Sequence, residues 1–344
     1  MDVSTGASAV RDTIAMPVED ASHVSAARRR AGDLARALDF DEEAAGRVAL
    51  AVTEAATNIL KHGGRGEILL GVTQTAGLRF VDVLALDRGP GMANVDRCFE
   101  DGFSTAGSAG TGLGAVRRLA SAIDVYSRPG GTALLMRIGP GTPGRVSGGM
   151  TAIGGLSVAV GGEDQCGDAW DHESRPGVLT VLVVDGLGHG AGASEAAREC
   201  VRAFRLHPGT PPAARVGKLH EALRGTRGAA LAVTEIDPGR RVVRFAGLGN
   251  ITASVYGEGP VRHLVSHHGI AGHNAGKIAE YTYPWPGRGV LIMHSDGLAT
   301  LRHLDPYPGL LERDTGLIAG VLYRDFSRRR DDATVVVLAL GERR

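Results

Sequence analysis

The 344-residue chain is poor in lysine, aromatic residues and cysteine. Only Lys61, Lys218 and Lys277 are lysine among 38 basic residues, and aromatics make up 4%. The arginine bias reads as GC-rich coding first and as a functional signal second. Cys98, Cys166 and Cys200 are odd in number and lack CxxC spacing. They point to a reducing cytoplasm and leave no thiolate zinc site. No run of 18 apolar residues occurs, so no membrane-spanning helix is expected. The chain does not open on a basic-then-apolar signal peptide. Its 38 basic residues balance 38 acidic ones, which gives no general reason to expect a nucleic-acid or anionic-membrane partner.

Glycine is abundant instead. The 51 glycines are about twice the usual share of roughly 7%. They follow no three-residue period, which excludes collagen. A hydrophobic fraction of 43% excludes global disorder. At roughly 100 to 200 residues per domain the length predicts two domains. Glycine and proline crowd residues 140–149, where neither a helix nor an interior strand is readily held. The expected division is therefore 1–139, a linker at 140–149, and 150–344.

The first segment reads as α+β. Helical periodicity covers 20–38, and a second helix runs from an N-cap at Asp41 to Gly63. Strands are expected at 67–74, 78–86, 123–127 and 131–138, with a helix near 115–122. The second segment is richer in strands, near 151–160, 178–185, 228–236, 241–247, 251–256, 261–265, 289–294 and 333–340. Helices are expected at 191–205, 213–224 and 309–323. This pattern predicts two sheets covered by helices.

In the second helix, Glu54 and Asn58 are four apart and share a face. Alone, the pair reads as a solvated helix surface. A strand-like run then ends in Asp87-Arg-Gly89-Pro-Gly91, where an aspartate is placed to accept from an exocyclic amine and glycines let backbone pass close to a flat base. Next comes Gly110-Thr111-Gly112-Leu-Gly114 before a helix, a phosphate-suited arrangement. It has neither the Rossmann order nor a P-loop. Lys61 and His62 suit either a phosphate role or simple stabilisation of the helix dipole.

These three elements, in this order, resemble the GHKL ATPases (the Bergerat α/β sandwich), over about residues 12–138. Asn58-Ile-Leu-Lys-His-Gly63 and the short lid from Phe103 to Gly114 resemble the anti-sigma-factor kinases of the RsbT switch-kinase type. The resemblance implies that Glu54 is the base, that Asn58 holds Mg²⁺ and that Asp87 reads adenine above Gly89 and Gly91. It implies ATP phosphates at Gly110, Thr111, Gly112 and Gly114. It also implies phosphorylation of Ser or Thr on STAS-domain partners.

In the second segment aspartates recur where strands stop, at Asp168, Asp185 and Asp296, and at a strand start with Asp331 and Asp332. Any single Asp-Gly reads as a turn. Together they form a set of hard oxygen ligands suited to Mg²⁺ or Mn²⁺ and not to zinc. Gly-Asp168, Asp185-Gly186-x-Gly188, Gly249-Asn250, Ser295-Asp296-Gly297 and Asp331-Asp332-x-Thr334 resemble the PP2C-like phosphatases of the SpoIIE/RsbX type. That family's fold is a β-sandwich flanked by helices. The resemblance implies two Mn²⁺ or Mg²⁺ ions bridged by Asp185, with the Gly186 carbonyl, Asp168, Asp296 and Asp331 completing the shells. Hydrolysis of phosphoserine or phosphothreonine would use a metal-activated water. The motif favours Asp331 over Asp332, and His294 reads as a packed strand residue.

The joint expectation is a cytoplasmic bifunctional regulator. A kinase domain would act on a STAS-type protein, in a stressosome-like or sigma-factor control module, and a phosphatase domain would act on such a protein. The alternatives are an ATP-binding module that sequesters its partner and an ATP sensor that controls a phosphatase.

Overall fold

The structure, a computed structural model, describes residues 13–75, 77–98, 112–141, 152–257, 259–284, 287–301 and 303–341. It forms two compact units. One comprises Thr13–Gly154 with Leu304–Asp325, and the other Gly155–His303 with Phe326–Glu342.

The first unit contains β1 (Ile14–Val18), α1 (Ala21–Ala37), α2 (Glu42–Asn58), β2 (Gly66–Thr75), β3 (Leu78–Asp87), α3 (Val95–Cys98), α4 (Gly112–Leu119), β4 (Ala122–Arg128) and β5 (Gly131–Ile138). Aspartates start both long helices. Asp20 accepts from the Ser22 and His23 amides at 2.7 and 3.2 Å, and Asp41 from the Ala44 amide at 2.7 Å. Each meets donors that the first helical turn leaves unpaired. The strands form one antiparallel sheet in the order β1-β2-β3-β5-β4. Ala27, Ala31, Val48, Val52 and Val116 of the helices share a core with Ile68, Leu70, Val83 and Met136 of the sheet. Small alanines on α1 and α2 allow a close helix approach. Strand β1, too short for a clear period, is an addition to the expected elements.

The second unit is a sandwich. Its strands are β6 (Ile153–Val158), β7 (Asp168–Arg175), β8 (Val178–Gly186), β9 (Ala229–Asp237), β10 (Val242–Leu248), β11 (Thr252–Gly257), β12 (Arg262–His263), β13 (Tyr281–Pro284), β14 (Gly289–His294) and β15 (Ala333–Leu340). They form two five-stranded sheets, β13-β10-β9-β8-β7 and β12-β11-β14-β15-β6. Helices α5 (Ala191–Arg205) and α6 (Pro212–Ala222) cover the first of these. Ala196, Cys200, Phe204, Val216 and Leu219 pack on Leu182, Val184, Leu231 and Val233. Strand β7 is charged, which hid it from periodicity. Its acids are met by arginines, Asp171 by Arg205 and Glu173 by Arg215, both at 2.7 Å.

The segment Leu304–Asp325 belongs to the first unit. It contains a short turn of helix at Leu310–Glu312 and most of α7 (Thr315–Phe326). Asp82 and Arg137 alternate with core residues Val81, Val83, Met136 and Ile138, so they project from the other face of the sheet. There the Arg137 guanidinium grips both Asp314 carboxylate oxygens at 2.7 and 2.8 Å, and its Nε reaches Asp82 at 3.3 Å. Burial opposes the charge on Arg137, yet Asp82 and Asp314 hold it above its ordinary range. Burial also pushes Asp82 upward, against the pull of Arg137. The Asp314 amide donates to Asp124 at 2.7 Å, and the Tyr126 hydroxyl to the Pro308 carbonyl at 3.3 Å. Asp314 accepts from the Gly316 amide at 2.8 Å, so α7 starts several residues later than periodicity predicts. Every residue of α7 from Thr315 to Arg324 is buried.

Candidate functional sites

In the first unit, Glu54 and Asn58 lie on the last turns of α2, both half-buried. Asn58 ends the α-helical part. A π-helical turn, Ile59–Gly63, follows it and was not legible in the sequence; such turns occur often at functional sites. The Asn58 side-chain nitrogen is buried with no hydrogen-bond partner among the described residues, so this carboxamide has capacity for a ligand.

Asp87 closes β3, and its Oδ1 accepts from the Gly89 amide at 2.8 Å and the Thr132 amide at 3.1 Å. The glycines here serve close approach. A methyl group on Gly63 would lie 2.6 Å from the Asp87 Cβ, and one on Gly89 2.8 Å from the His62 carbonyl oxygen. Gly91 adopts φ +78°, and a methyl group there would strike the Arg128 carbonyl oxygen at 2.3 Å. The Asp87 loop is thus stacked directly on the end of the π-turn that follows Asn58. Ser127 steadies it further by accepting from the Met92 amide at 2.8 Å. Sequence reading missed Thr132 and Ser127, which carry no motif signal. Gly112 and Gly114 open α4, and Gly114 is buried. Gly110 and Thr111, and most of the 140–149 linker, lie outside the described residues.

In the second unit, Asp168 opens β7, which corrects its expected place at a strand's end, and it stands opposite Asp185 of β8 in the antiparallel register. The Gly186 amide donates to the Gly167 carbonyl at 3.0 Å. Asp296 lies just beyond β14, and Asn250 donates to it at 2.8 Å. Ser295 donates to Asp168 at 2.6 Å and accepts from the Thr334 amide at 3.0 Å. One hydroxyl thus links the start of β7, the turn after β14 and the start of β15. Its position beside Asp296 was the only sequence signal for Ser295.

The two adjacent aspartates differ in their surroundings. Asp332 is buried, and its oxygens accept from the Val160 amide at 2.7 Å and the Gly167 amide at 2.6 Å. Asp331 is half-buried and accepts from the Asp332 amide at 2.9 Å. His294 is buried in β14.

Burial first, then neighbouring carboxylates, push this group toward the protonated form. Burial raises Asp168 to about 7, with Asp332 and Asp331 adding to the rise and the Ser295 hydroxyl opposing it. Burial raises Asp185 to about 9, with Asp168, Asp296, Asp331 and Asp332 adding to it. Asp296 rises through burial and then Asp331, while Arg328 and Asn250 pull it down. Among the described residues no three His, Cys, Asp or Glu side chains converge closely enough to hold a cation as they stand. The donor chemistry nevertheless fits a hard divalent cation. The donors are all oxygen, the carboxylates repel one another, and cationic ligands relieve that repulsion.

Comparison with known proteins gives the family. Residues 17–138 match the model of the histidine kinase-like ATPase domain, and residues 175–340 that of stage II sporulation protein E. The chain therefore joins a histidine kinase-like ATPase domain to a domain of the stage II sporulation protein E type. A 109-residue stretch is 36% identical to the serine/threonine-protein kinase RsbT of Bacillus subtilis, covering 31% of this chain and 80% of RsbT. The chain belongs to the RsbT family through its histidine kinase-like ATPase domain, and this domain is joined to a SpoIIE domain. Among solved structures, one from work on the bacterial stressosome as a modular system adapted to secondary-messenger signalling is 26% identical, with TM-score 0.50. It covers 54% of this chain and 97% of its own. RsbX in complex with magnesium is 18% identical, with TM-score 0.49, over 64% of this chain and all of its own. No helix among the described residues is long and apolar enough to cross a membrane.

Proposed function

We propose that the chain is a two-way switch on a STAS-type regulatory protein, phosphorylating Ser or Thr with its first domain (1–139) and removing phosphate with its second (150–344). In the first site, Glu54 takes the proton from the incoming hydroxyl, and Asn58 holds Mg²⁺. Asp87 accepts from the adenine amine above Gly89 and Gly91, while Gly110, Thr111, Gly112 and Gly114 line the phosphates. Positioning and charge neutralisation supply most of the catalysis in such transfers. The observation that carries the kinase reading is the pairing of Glu54 with Asn58 on α2, next to the braced Asp87 loop. A module that only bound nucleotide would not need the carboxylate.

In the second site, Asp168, Asp185, Asp296, Asp331 and the Gly186 carbonyl would hold two Mn²⁺ or Mg²⁺ ions. When bound, such ions supply Lewis acidity toward the phosphoryl group and lower the pKa of water. Asp332 shapes the site through the Val160 and Gly167 amides, which supports Asp331 as the ligand. Ser295 orients Asp168.

Incubating the full chain with labelled ATP, Mg²⁺ and STAS proteins encoded nearby tests the first activity. Absence of transfer to all of them overturns the kinase reading. Hydrolysis of the phosphorylated STAS protein that survives in Asp296→Asn overturns the metal assignment.

A further inference from the structure

The Asp87 loop is also held by residues far along the chain. Arg324, near the end of α7, is buried at 2% exposure. Its Nη1 donates to the Asp87 backbone carbonyl at 3.2 Å, and its Nε and Nη2 donate to the two carboxylate oxygens of Asp325 at 2.8 and 2.9 Å. The fork to Asp325 balances the charge and fixes the plane of the guanidinium, so the bond to Asp87 has a set direction. Gly131 lies against that bond. A methyl group there would come within 2.2 Å of the Asp87 carbonyl oxygen and 2.7 Å of Arg324 Nη1.

The grip is reciprocal. Arg88, the residue after Asp87, donates to the Arg324 carbonyl and lies 3.8 Å from the Asp325 carboxylate. The same segment backs the other end of the loop. Gly91 abuts the Arg128 carbonyl, and the Arg128 guanidinium stacks over the Tyr307 ring, 4.2 Å from its centroid. Tyr307 and Arg324 lie beyond the ATPase-domain match at residues 17–138, yet within the same compact unit.

We propose that Arg324 is a positioning residue of the nucleotide site, one that sets how strictly Asp87 selects the base. The Gly89 and Thr132 amides hold Oδ1 of Asp87, which turns Oδ2 toward an exocyclic amine. A hydrogen bond weakens steeply as its angle closes, and the angle at the base depends on how the Asp87 backbone is held. Arg324 anchors that backbone at the carbonyl, while the two amides anchor the side chain. Phosphate and Mg²⁺ contacts supply affinity common to all nucleotides of one phosphate number, so loosening the anchor erodes discrimination more than affinity. The proposal rests on the nucleotide reading of the first unit.

Titration calorimetry of the full chain with ADP and with IDP, each with Mg²⁺, tests it. IDP keeps the sugar and phosphates and carries a carbonyl in place of the exocyclic amine. The wild-type chain should prefer ADP by about tenfold or more, the worth of a hydrogen bond to a charged acceptor. Arg324→Met should bring the two ligands close to parity while IDP affinity stays within about threefold of wild type. Arg324→Lys should restore part of the preference, because one donor still reaches the Asp87 carbonyl. Arg88→Met, on an exposed side chain, removes only the reciprocal contact and should lower the preference about threefold. A wild-type preference that survives in Arg324→Met overturns the proposal. Where Arg324→Met does not fold, a preference unchanged in both Arg324→Lys and Arg88→Met does the same. Equal loss of both ligands with a lower melting temperature, the signature of a brace for α7 alone, also overturns it. A wild-type chain that binds neither ligand, or both equally, defeats the nucleotide reading itself and the proposal with it.

Discussion

Asp168 and Asp185 face each other across neighbouring antiparallel strands, and burial raises both above the ordinary carboxylate range. Their folded-state values, about 7 and about 9, exceed an unfolded value near 3.9. Between those limits the folded chain holds more protons than the unfolded one, so stability falls as pH rises through the window. In chelator, the melting temperature should drop from pH 5 to pH 8. Added Mn²⁺ or Mg²⁺ should raise it more at pH 8 than at pH 5. Asp185→Asn should flatten the pH dependence and lose the metal-induced rise. A metal response equal at both pH values would contradict this account.

Asp331 and Asp332 should separate cleanly by mutation. Asp332→Ala strands the Val160 and Gly167 amides, with a cost of about 1–3 kcal/mol for each buried donor left unpaired. Urea denaturation should show that loss. Asp331→Ala should leave the midpoint nearly unchanged and abolish Mn²⁺-dependent dephosphorylation. Equal destabilisation by the two variants would argue against distinct roles.

For the nucleotide site, Glu54→Ala should abolish phosphate transfer while ATP binding, read by calorimetry, stays within about threefold, since only a transition-state interaction is lost. Gly89→Ala should weaken ATP binding by forcing the Asp87 loop off the π-turn. Retained transfer in Glu54→Ala would remove that residue as the base.

The Arg137–Asp314 contact gives a stability prediction. Asp314→Ala leaves the buried guanidinium with Asp82 alone, and breaking such a pair costs about 3–5 kcal/mol. The cost should appear in thermal unfolding of the unit that contains Asp87. A change under about 1 kcal/mol, the range of exposed pairs, would mean that the contact is solvated.

Both architectures and most elements were legible because apolar periodicity and glycine motifs are local signals. The helix from Asp41, the paired β2 and β3, and strand β8 ending at Asp185–Gly186 all follow from short-range pattern. Strand β7 was not legible, because its charged residues are met by Arg205 of α5 and Arg215 of α6, far along the chain. The brace from Ser295 to Asp168 is also long-range. The destination of Leu304–Asp325 was hidden for a different reason: α7 is apolar around its circumference, and periodicity alone does not say what surface it meets.

That last segment bears on how such a chain could arise or be dismantled. The unit with the nucleotide site is completed by residues encoded only after nine of the sandwich's ten strands. A ribosome that has finished the first 141 residues has made a sheet whose Asp82 and Arg137 still await Asp314. Maturation of that unit therefore waits on translation of the rest, and a reading frame cut at the glycine-rich junction would release a half with one sheet face bare.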